Sequence, residues 1–469
     1  MRYKQGQSRQ QTSFLPPSIE EYVEADSPVR VIDAFVQSLN MIHLEFDKAI
    51  PAKTGCKPYD PSDLLKLYLY GYLNQITSTR KLEKECRRNL EVMWLMGKLA
   101  PDFKTIADFR KNNGQAIKGA CRSLVQFCRR LGLISGVFIA IDGSKFKAAA
   151  SKDQVMTKDH LKKHLDTLDR RIEHYLHKLA ESEQSSPSVN IDRSAVEKAL
   201  KSLQCEQNIK TEVLNELESS NKNQRCFTES DAQLMRSGRD GMVVGYNAQN
   251  AVDEQHQLIV HHELTTAHAD NQQLKPMTEA VSEVLEQFPK IIAADAGYSN
   301  GEQLAELQEQ GHTTAVPANR ARNVDMDKFK KSDFEYLPDT DEFRCPAGEI
   351  LIYTTKNTKN KMHLYSRKGC NKCPLQNQCT KADRRWVSMH FDEVALNTAT
   401  SNATPDRMVR RMKTVEPPFG TLKRMLNKGR FSCWGLDAAA SEYSLGVISY
   451  NLIRMMNVVG VKRLLEEWD

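Results

Sequence analysis

No run in the 469 residues approaches the 18 or so apolar positions of a membrane helix. The opening Met1-Arg-Tyr-Lys-Gln-Gly-Gln has no apolar signal segment. Neither a membrane protein nor an exported one is expected, and the expected compartment is the cytoplasm. A disulfide framework is not expected either, because the eleven cysteines are odd in number and no export signal precedes them. Charge of one sign is scarce in the sum. The 66 Lys and Arg against 60 Asp and Glu leave +6, a weak hint of a polyanionic partner, so the placement of charge matters more than its total. What the chain does have is 40% hydrophobic and 27% charged residues, the makings of a real core, in a length suited to about three domains.

The chain is organised around Gly136-Val-Phe-Ile-Ala-Ile-Asp142-Gly-Ser-Lys145. Five apolar residues, mostly β-branched or aromatic, lead into an aspartate and a glycine. The pattern reads as a strand buried on both faces that ends on a carboxylate. Alone, Asp-Gly is equally a common turn dipeptide. A second copy changes the reading: Pro289-Lys-Ile-Ile-Ala-Ala-Asp295-Ala-Gly-Tyr298, followed by a helix capped by Ser299 or Asn300. Two strand-terminal aspartates at neighbouring strand ends form a divalent-cation site, since Mg²⁺ is held by one or two carboxylates plus substrate phosphates.

Around this pair the rest falls into segments. Residues 1–58 read as an extended arm, with Phe14-Leu-Pro-Pro and an acidic stretch, and then a helix from about Val29 to Leu39. Residues 60–133 read as short helices with basic faces, carrying Arg80, Lys81, Lys84, Arg87, Arg88, Lys104, Arg110 and Lys111. This suits a helix-turn-helix reader of DNA, or equally a plain bundle with solvated bases. Leu161, Leu165, Leu168, Ile172, Tyr175 and Leu179 form a heptad seam, broken at Ser185-Ser-Pro-Ser-Val-Asn before a second helix, so residues 155–225 are an expected helical hairpin. Two antiparallel strands are expected at Gly241–Val252 and Gln257–Leu264, then a helix from about Asp270 to Phe288. The order of strands and helices is that of a ribonuclease H-like mixed sheet. His261, His262 and His268 read as hydrogen-bonded or surface residues.

Residues 317–400 are polar and turn-rich, with β-like pieces at 350–353, 362–365 and 386–389. Cys345, Cys370, Cys373 and Cys379 offer four ligands of the kind structural Zn²⁺ takes, although the spacing fits no standard finger. Free or redox-active thiols are the alternative. Charge turns one-sided from Asp406 to Arg430, where eight bases, among them Arg410, Arg411, Lys423 and Arg424, surround Glu416. Pro417 and Pro418 suit a helix starting near Glu416, and Ala438–Val459 reads as an apolar helix closing over the sheet.

Asp142 in IAIDGSK, Asp295 in AADAGYSN and Glu416 in TVEPPFGTLKR together resemble the DDE triad of bacterial insertion-sequence transposases. The resemblance extends to Leu15-Pro-Pro-Ser, Pro28-Val-Arg-Val-Ile-Asp-Ala-Phe, Thr105-Ile-Ala-Asp-Phe-Arg and the cysteine-rich insertion, and so covers nearly the whole chain. In such enzymes a Tyr, an Arg, the Glu and a Lys often share one helix. Here Arg411 lies five before Glu416 rather than four, no Tyr precedes it, and Lys423 lies seven after. The resemblance implies an α/β RNase H-like catalytic core at 134–154, 226–316 and 401–469, with an all-α DNA-binding domain at 1–133. The hairpin and the cysteine-rich β insertion interrupt that core. It implies Mg²⁺ or Mn²⁺, two per site, held by Asp142, Asp295 and Glu416 for in-line phosphoryl transfer. It also implies double-stranded DNA as partner, both the element's terminal inverted repeats and the target, with Lys145, Lys423 and the arginines near Glu416 on the backbone. A homo-oligomer on DNA and a bacterial cytoplasmic, nucleoid-associated location follow. A nuclease or resolvase of the same fold, or a regulator that has lost catalysis, are the rival readings.

Overall fold

The computed structural model describes residues 18–184, 193–220, 223–238, 241–319 and 328–468. The Phe14-Leu-Pro-Pro segment and the Ser185–Asn190 break lie outside them.

Among the described residues six α-helices come first: α1 (Pro28–Gln37), α2 (Pro61–Leu73), α3 (Thr79–Arg88), α4 (Leu90–Leu95), α5 (Phe103–Asn112) and α6 (Gly114–Arg130). Their starts are chemically marked. The Asp60 carboxylate accepts from Ser62 N with Pro61 in the first turn, and that of Asp102 accepts from the N–H groups of Lys104 and Thr105.

The sheet is built from β1 (Phe138–Lys147), then, beyond the hairpin, β4 (Gln233–Ser237), β5 (Gly241–Asp253), β6 (Ile259–Thr265), β7 (Ile291–Ala293) and β8 (Thr313–Ala315). The hairpin itself is β2 (Val155–Thr157), α7 (Lys158–Gln184), α8 (Arg193–Ser219) and β3 (Gln224–Cys226). Helices α9 (Leu274–Leu285) and α10 (Gly301–Glu309) flank β7 in the chain. Across the sheet the order is β6–β5–β1–β7–β8, with β4 extending the β6 edge along the first half of β5. Strand β5 is antiparallel to β1 and β6, while β7 and β8 run parallel to β1. This is the ribonuclease H-like mixed sheet of the sequence reading.

The hairpin zips at two levels, Leu161 against Val213 and Leu217, then Leu168 and Ile172 against Leu203, and β2 pairs with β3 at its base. The cysteine-rich insertion forms a second antiparallel sheet of β9 (Glu335–Leu337), β10 (Glu342–Arg344), β11 (Ile350–Asn357), β12 (Met362–Lys368) and β13 (Arg384–His390), with a helical turn α11 (Gln376–Cys379). Its own small core is Phe334, Phe343, Leu351, Tyr365 and Val387. Four helices finish the chain: α12 (Glu393–Asn402), α13 (Pro405–Met425), α14 (Leu436–Val459) and α15 (Val461–Glu466).

One apolar core runs without interruption from Val23, ahead of α1, through the sheet to Leu464. Helix α14 is its hub, packing on α2, α5, α6 and β6. That explains why α14 is apolar nearly all round. The N-terminal helices and the sheet are therefore joined by shared packing rather than by a linker.

Candidate active site

Strand β1 does not stop at Asp142. It continues to Lys147 because β5 pairs with it throughout, Asp142 opposite Asn250 and Lys147 opposite Gly245. The far end is fastened from outside the sheet, with Lys147 N donating to Gly429 O and Phe431 N to Lys147 O. Gly143 is accordingly a strand residue and not a turn. A Cβ there would sit 2.4 Å from Gln249 Nε2 and 2.8 Å from Asp270 Oδ1, so close side-chain approach explains the glycine.

Asp295 follows the end of β7. Ala140 and Ala293 are the last partners in the parallel β1–β7 register, and Asp142 and Asp295 each follow two residues later, near enough for the charge of Asp295 to act on Asp142. The Asp295 carboxylate accepts from Gly297 N at 2.8 Å and caps a single 3₁₀ turn.

The Asp142 carboxylate receives Arg411 Nη2 at 2.9 Å and Gly143 N at 2.9 Å on the same oxygen. Burial pushes its pKa up to about 6; Arg411 opposes this, while the charges of Asp295 and Asp270 add to it. Asp270, in the loop before α9, is an acid that the sequence reading passed over. Its Oδ1 accepts from Asn247 Nδ2 at 2.6 Å and Gln249 Nε2 at 2.7 Å, with Lys145 Nζ at 3.6 Å. Burial lowers the Lys145 pKa, and Asp270 works against that shift. Tyr298, three residues after Asp295, donates to Gln249 Oε1 and ties the turn to β5. The signal for this group was present: wholly buried Asn247, Gln249 and Asn250 in an otherwise apolar strand. Buried amides need partners; Asn247 and Gln249 find theirs in Asp270, whereas Asn250 accepts from Tyr443 Oη at 2.9 Å.

Helix α13 lies along β1. Arg410 stacks over Phe138 at 4.7 Å, Arg411 meets Asp142, and Lys423 stands over Phe146 at 5.7 Å, all three partners on one face of the strand. Pro417 and Pro418 sit inside this helix, not at its start. The carbonyl of Lys413, which an N–H at 417 would otherwise take, accepts from Gln257 Nε2 at 3.1 Å. Arg411, not Glu416, faces Asp142. Glu416 is exposed, about 140° round the helix from Arg411.

The remaining basic residues divide by burial. Arg80, Lys81, Arg87, Arg88, Lys104, Lys111 and Arg424 are exposed. Arg80 stacks on Phe103, while Arg87 and Arg88 pair with Glu83 and Glu85. Arg410 is forked onto Glu254. Arg110 is corrected outright: it is buried, 3.3 Å from Tyr72 Oη and 3.9 Å from the fully buried Glu442, so it cannot reach a DNA backbone.

Cys345, Cys370, Cys373 and Cys379 line one cavity of about 400 Å³ in the insertion, all unbridged. Two tight turns bring them there, Gly348 N to Cys345 O at 2.8 Å and Cys373 N to Cys370 O at 3.2 Å. Burial raises the Cys379 pKa. Among the described residues, no three His, Cys, Asp or Glu side chains converge closely enough, as they stand, to hold a metal ion. No helix among them is long and apolar enough to cross a membrane.

Residues 17–112 match the family model described as a transposase domain (DUF772), and residues 344–456 match a transposase DDE domain. The first spans α1–α5; the second spans the cysteines, Glu416 and most of α14. Asp142 and Asp295 fall between them. No curated protein matches the sequence. Among solved structures, a piggyBac transposase synaptic complex with hairpin DNA is similar at 10% identity and a TM-score of 0.34, over 94% of this chain and 79% of that one. That likeness is too distant to say anything further about this chain.

Proposed function

We propose that this chain, which matches a transposase domain over residues 17–112 and a transposase DDE domain over residues 344–456, is a DDE-type insertion-sequence transposase that binds the element's terminal inverted repeats. It cuts and joins DNA strands with Mg²⁺ or Mn²⁺. The observation that carries this is that parallel neighbours β1 and β7, paired through Ala140 and Ala293, lead to Asp142 and Asp295 two residues further on, close enough for the charge of Asp295 to act on Asp142.

The donor chemistry fits a divalent cation. Asp295 and Asp270 are near enough for their charges to hinder ionisation of Asp142, and Arg411 acts there as counter-ion. Asp142 and Asp295 are the proposed ligands, with Glu416 as the third. Because Glu416 lies about 140° round α13 from Arg411, its entry would need α13 to turn as well as Arg411 to leave Asp142 for the DNA backbone. Bound cations would supply charge neutralisation for the attacking and leaving oxygens of the phosphoryl transfer. The protein's own part is positional: β1 and β7 fix the two aspartates, and the exposed bases of α3, α5 and α13 attract phosphates. A dimer or larger homo-oligomer on paired ends is part of this reading. So is a structural Zn²⁺ on the four cysteines, whose thiols share one cavity and whose donor set is the one zinc prefers.

Incubating the full chain with the element's end DNA, target DNA and Mg²⁺, then sequencing the products, tests the proposal. Joined end–target products are expected. Cutting without joining would make the chain a nuclease or resolvase, and binding alone would make it a regulator.

A further inference from the structure

Resting on that reading, we propose that Asp270 is a further carboxylate of the divalent-cation site, acting beside Asp142 and Asp295. Three features of its surroundings argue for this. The first is asymmetry between its two oxygens. Oδ1 takes the buried amides of Asn247 and Gln249 and lies 3.6 Å from Lys145 Nζ. Among the described residues Oδ2 accepts no hydrogen bond. A carboxylate clamped through one oxygen leaves the other oriented and free, as a metal ligand held by outer-shell partners is.

The second is where Oδ2 faces. The point a Cβ at Gly297 would occupy is 3.0 Å from Asp295 Oδ1 and 3.9 Å from Asp270 Oδ2. The two carboxylates therefore border one small space that the missing side chain keeps open. Gly143 does the same on the other side, where a Cβ would strike Asp270 Oδ1 at 2.8 Å.

The third is cost. Asn247 and Gln249 are wholly buried on β5, and among the described residues Asn247 Oδ1 has no hydrogen-bond partner. The two amides also bond Ala267 O and Tyr298 Oη, but both turn an N–H onto Asp270, and burying polar groups for this is unfavourable compared with apolar packing. The arrangement makes sense when the acid's position matters for a ligand. Hard cations such as Mg²⁺ and Mn²⁺ take oxygen ligands of this kind, with water completing the shell.

The test is Mn²⁺ binding to the full DNA-free chain, followed by the electron paramagnetic resonance of free Mn²⁺. Asp270→Asn keeps an oxygen for Asn247 and Gln249 but removes the charge. It is expected to weaken Mn²⁺ binding at least about tenfold, as Asp142→Asn and Asp295→Asn should. If those two weaken binding while Asp270→Asn binds like wild type, Asp270 is a structural prop and this inference falls while the cation site stands. If the wild type takes up no Mn²⁺ at millimolar concentration, both fall together. A measurement on unmodified protein covers the case in which the variant misfolds. Fe²⁺ with ascorbate and peroxide should cut the backbone within residues 266–273 as well as near 142 and 295. Cuts at the latter two alone overturn the proposal.

Discussion

Acid should loosen the sheet through two histidines of β6, and the size of the effect can be worked out. His261 and His262 are buried, and His262 Nε2 lies 2.8 Å from Ser444 Oγ on α14. Burial lowers the His261 pKa to about 3, assisted by Lys118 and Arg122 of α6. Burial likewise holds His262 well below its usual value, with His261 and Lys118 adding to it. Glu263 favours protonation of His261 from 3.9 Å, but Lys118 already pairs with it at 2.6 Å. Both rings are thus neutral in the fold and protonate more readily when unfolded. The unfolded chain gains protons as pH drops below about 6.5, so the stability that neutral histidines confer is complete above that pH and is lost below it. By pH 5 the His261 ring, held at about 3 in the fold, has cost about 2 kcal/mol, and His262 adds a cost of the same sign. His262→Gln retains a hydrogen-bonding group for Ser444 and cannot charge. Urea midpoints followed by circular dichroism at pH 7.5 and pH 5 should show the variant losing less stability than wild type across that window. Equal losses in the two proteins would refute the assignment of a buried neutral ring.

Other outcomes follow from single contacts. Glu442 accepts from Ser432 N and Cys433 N and faces Arg110 with no exposure of its own. Glu442→Ala strands the Arg110 charge in the core and should lower stability by about 3–5 kcal/mol, read in thermal melts. Purified protein should carry about one zinc per chain, reduced by Cys373→Ser without change in the Mg²⁺ requirement; metal analysis of freshly reduced protein that finds none removes the zinc assignment. Lys104→Ala and Lys111→Ala should each weaken binding to terminal-repeat DNA and reduce the salt slope by about one, whereas Arg110→Gln should change stability and leave that slope alone. Unchanged slopes for the two lysines would place the DNA elsewhere.

Elements announced by a period were legible in the sequence. The β1 run, the β5–β6 pair, the run before Asp295, the helical hairpin and the apolar α14 all carry patterns that need no knowledge of the fold. What escaped notice depends on contacts between distant segments. Arg110 looks like a solvated base at the end of an amphipathic helix, and only Glu442, far along the chain, makes it a core residue. Asp270 sits in a loop with no apolar run to announce it, and its role comes from Asn247 and Gln249 across the sheet. Strand β8 is three residues long, too short to show a period. The Asp142-Gly143 pair reads locally as a turn, but pairing with β5 carries the strand straight through it. The two prolines of α13 would locally mark a helix start. Tertiary packing of Val415, Pro418, Phe419 and Leu422 holds them inside the helix instead.

The central claim concerns which carboxylates act on DNA, and its most direct measurement is Mg²⁺-dependent cutting of end DNA by single variants. Asp142→Asn, Asp295→Asn and Glu416→Gln each keep the side chain's shape and remove one charge. All three are predicted to abolish both cleavage and joining while DNA binding persists or strengthens. Asp406→Asn, an exposed acid in the first turn of the same helix as Glu416, should remain near wild-type activity. Cleavage that survives Glu416→Gln but is lost in Asp406→Asn would contradict the choice of third acid. Cleavage that survives Asp142→Asn or Asp295→Asn would contradict the site itself.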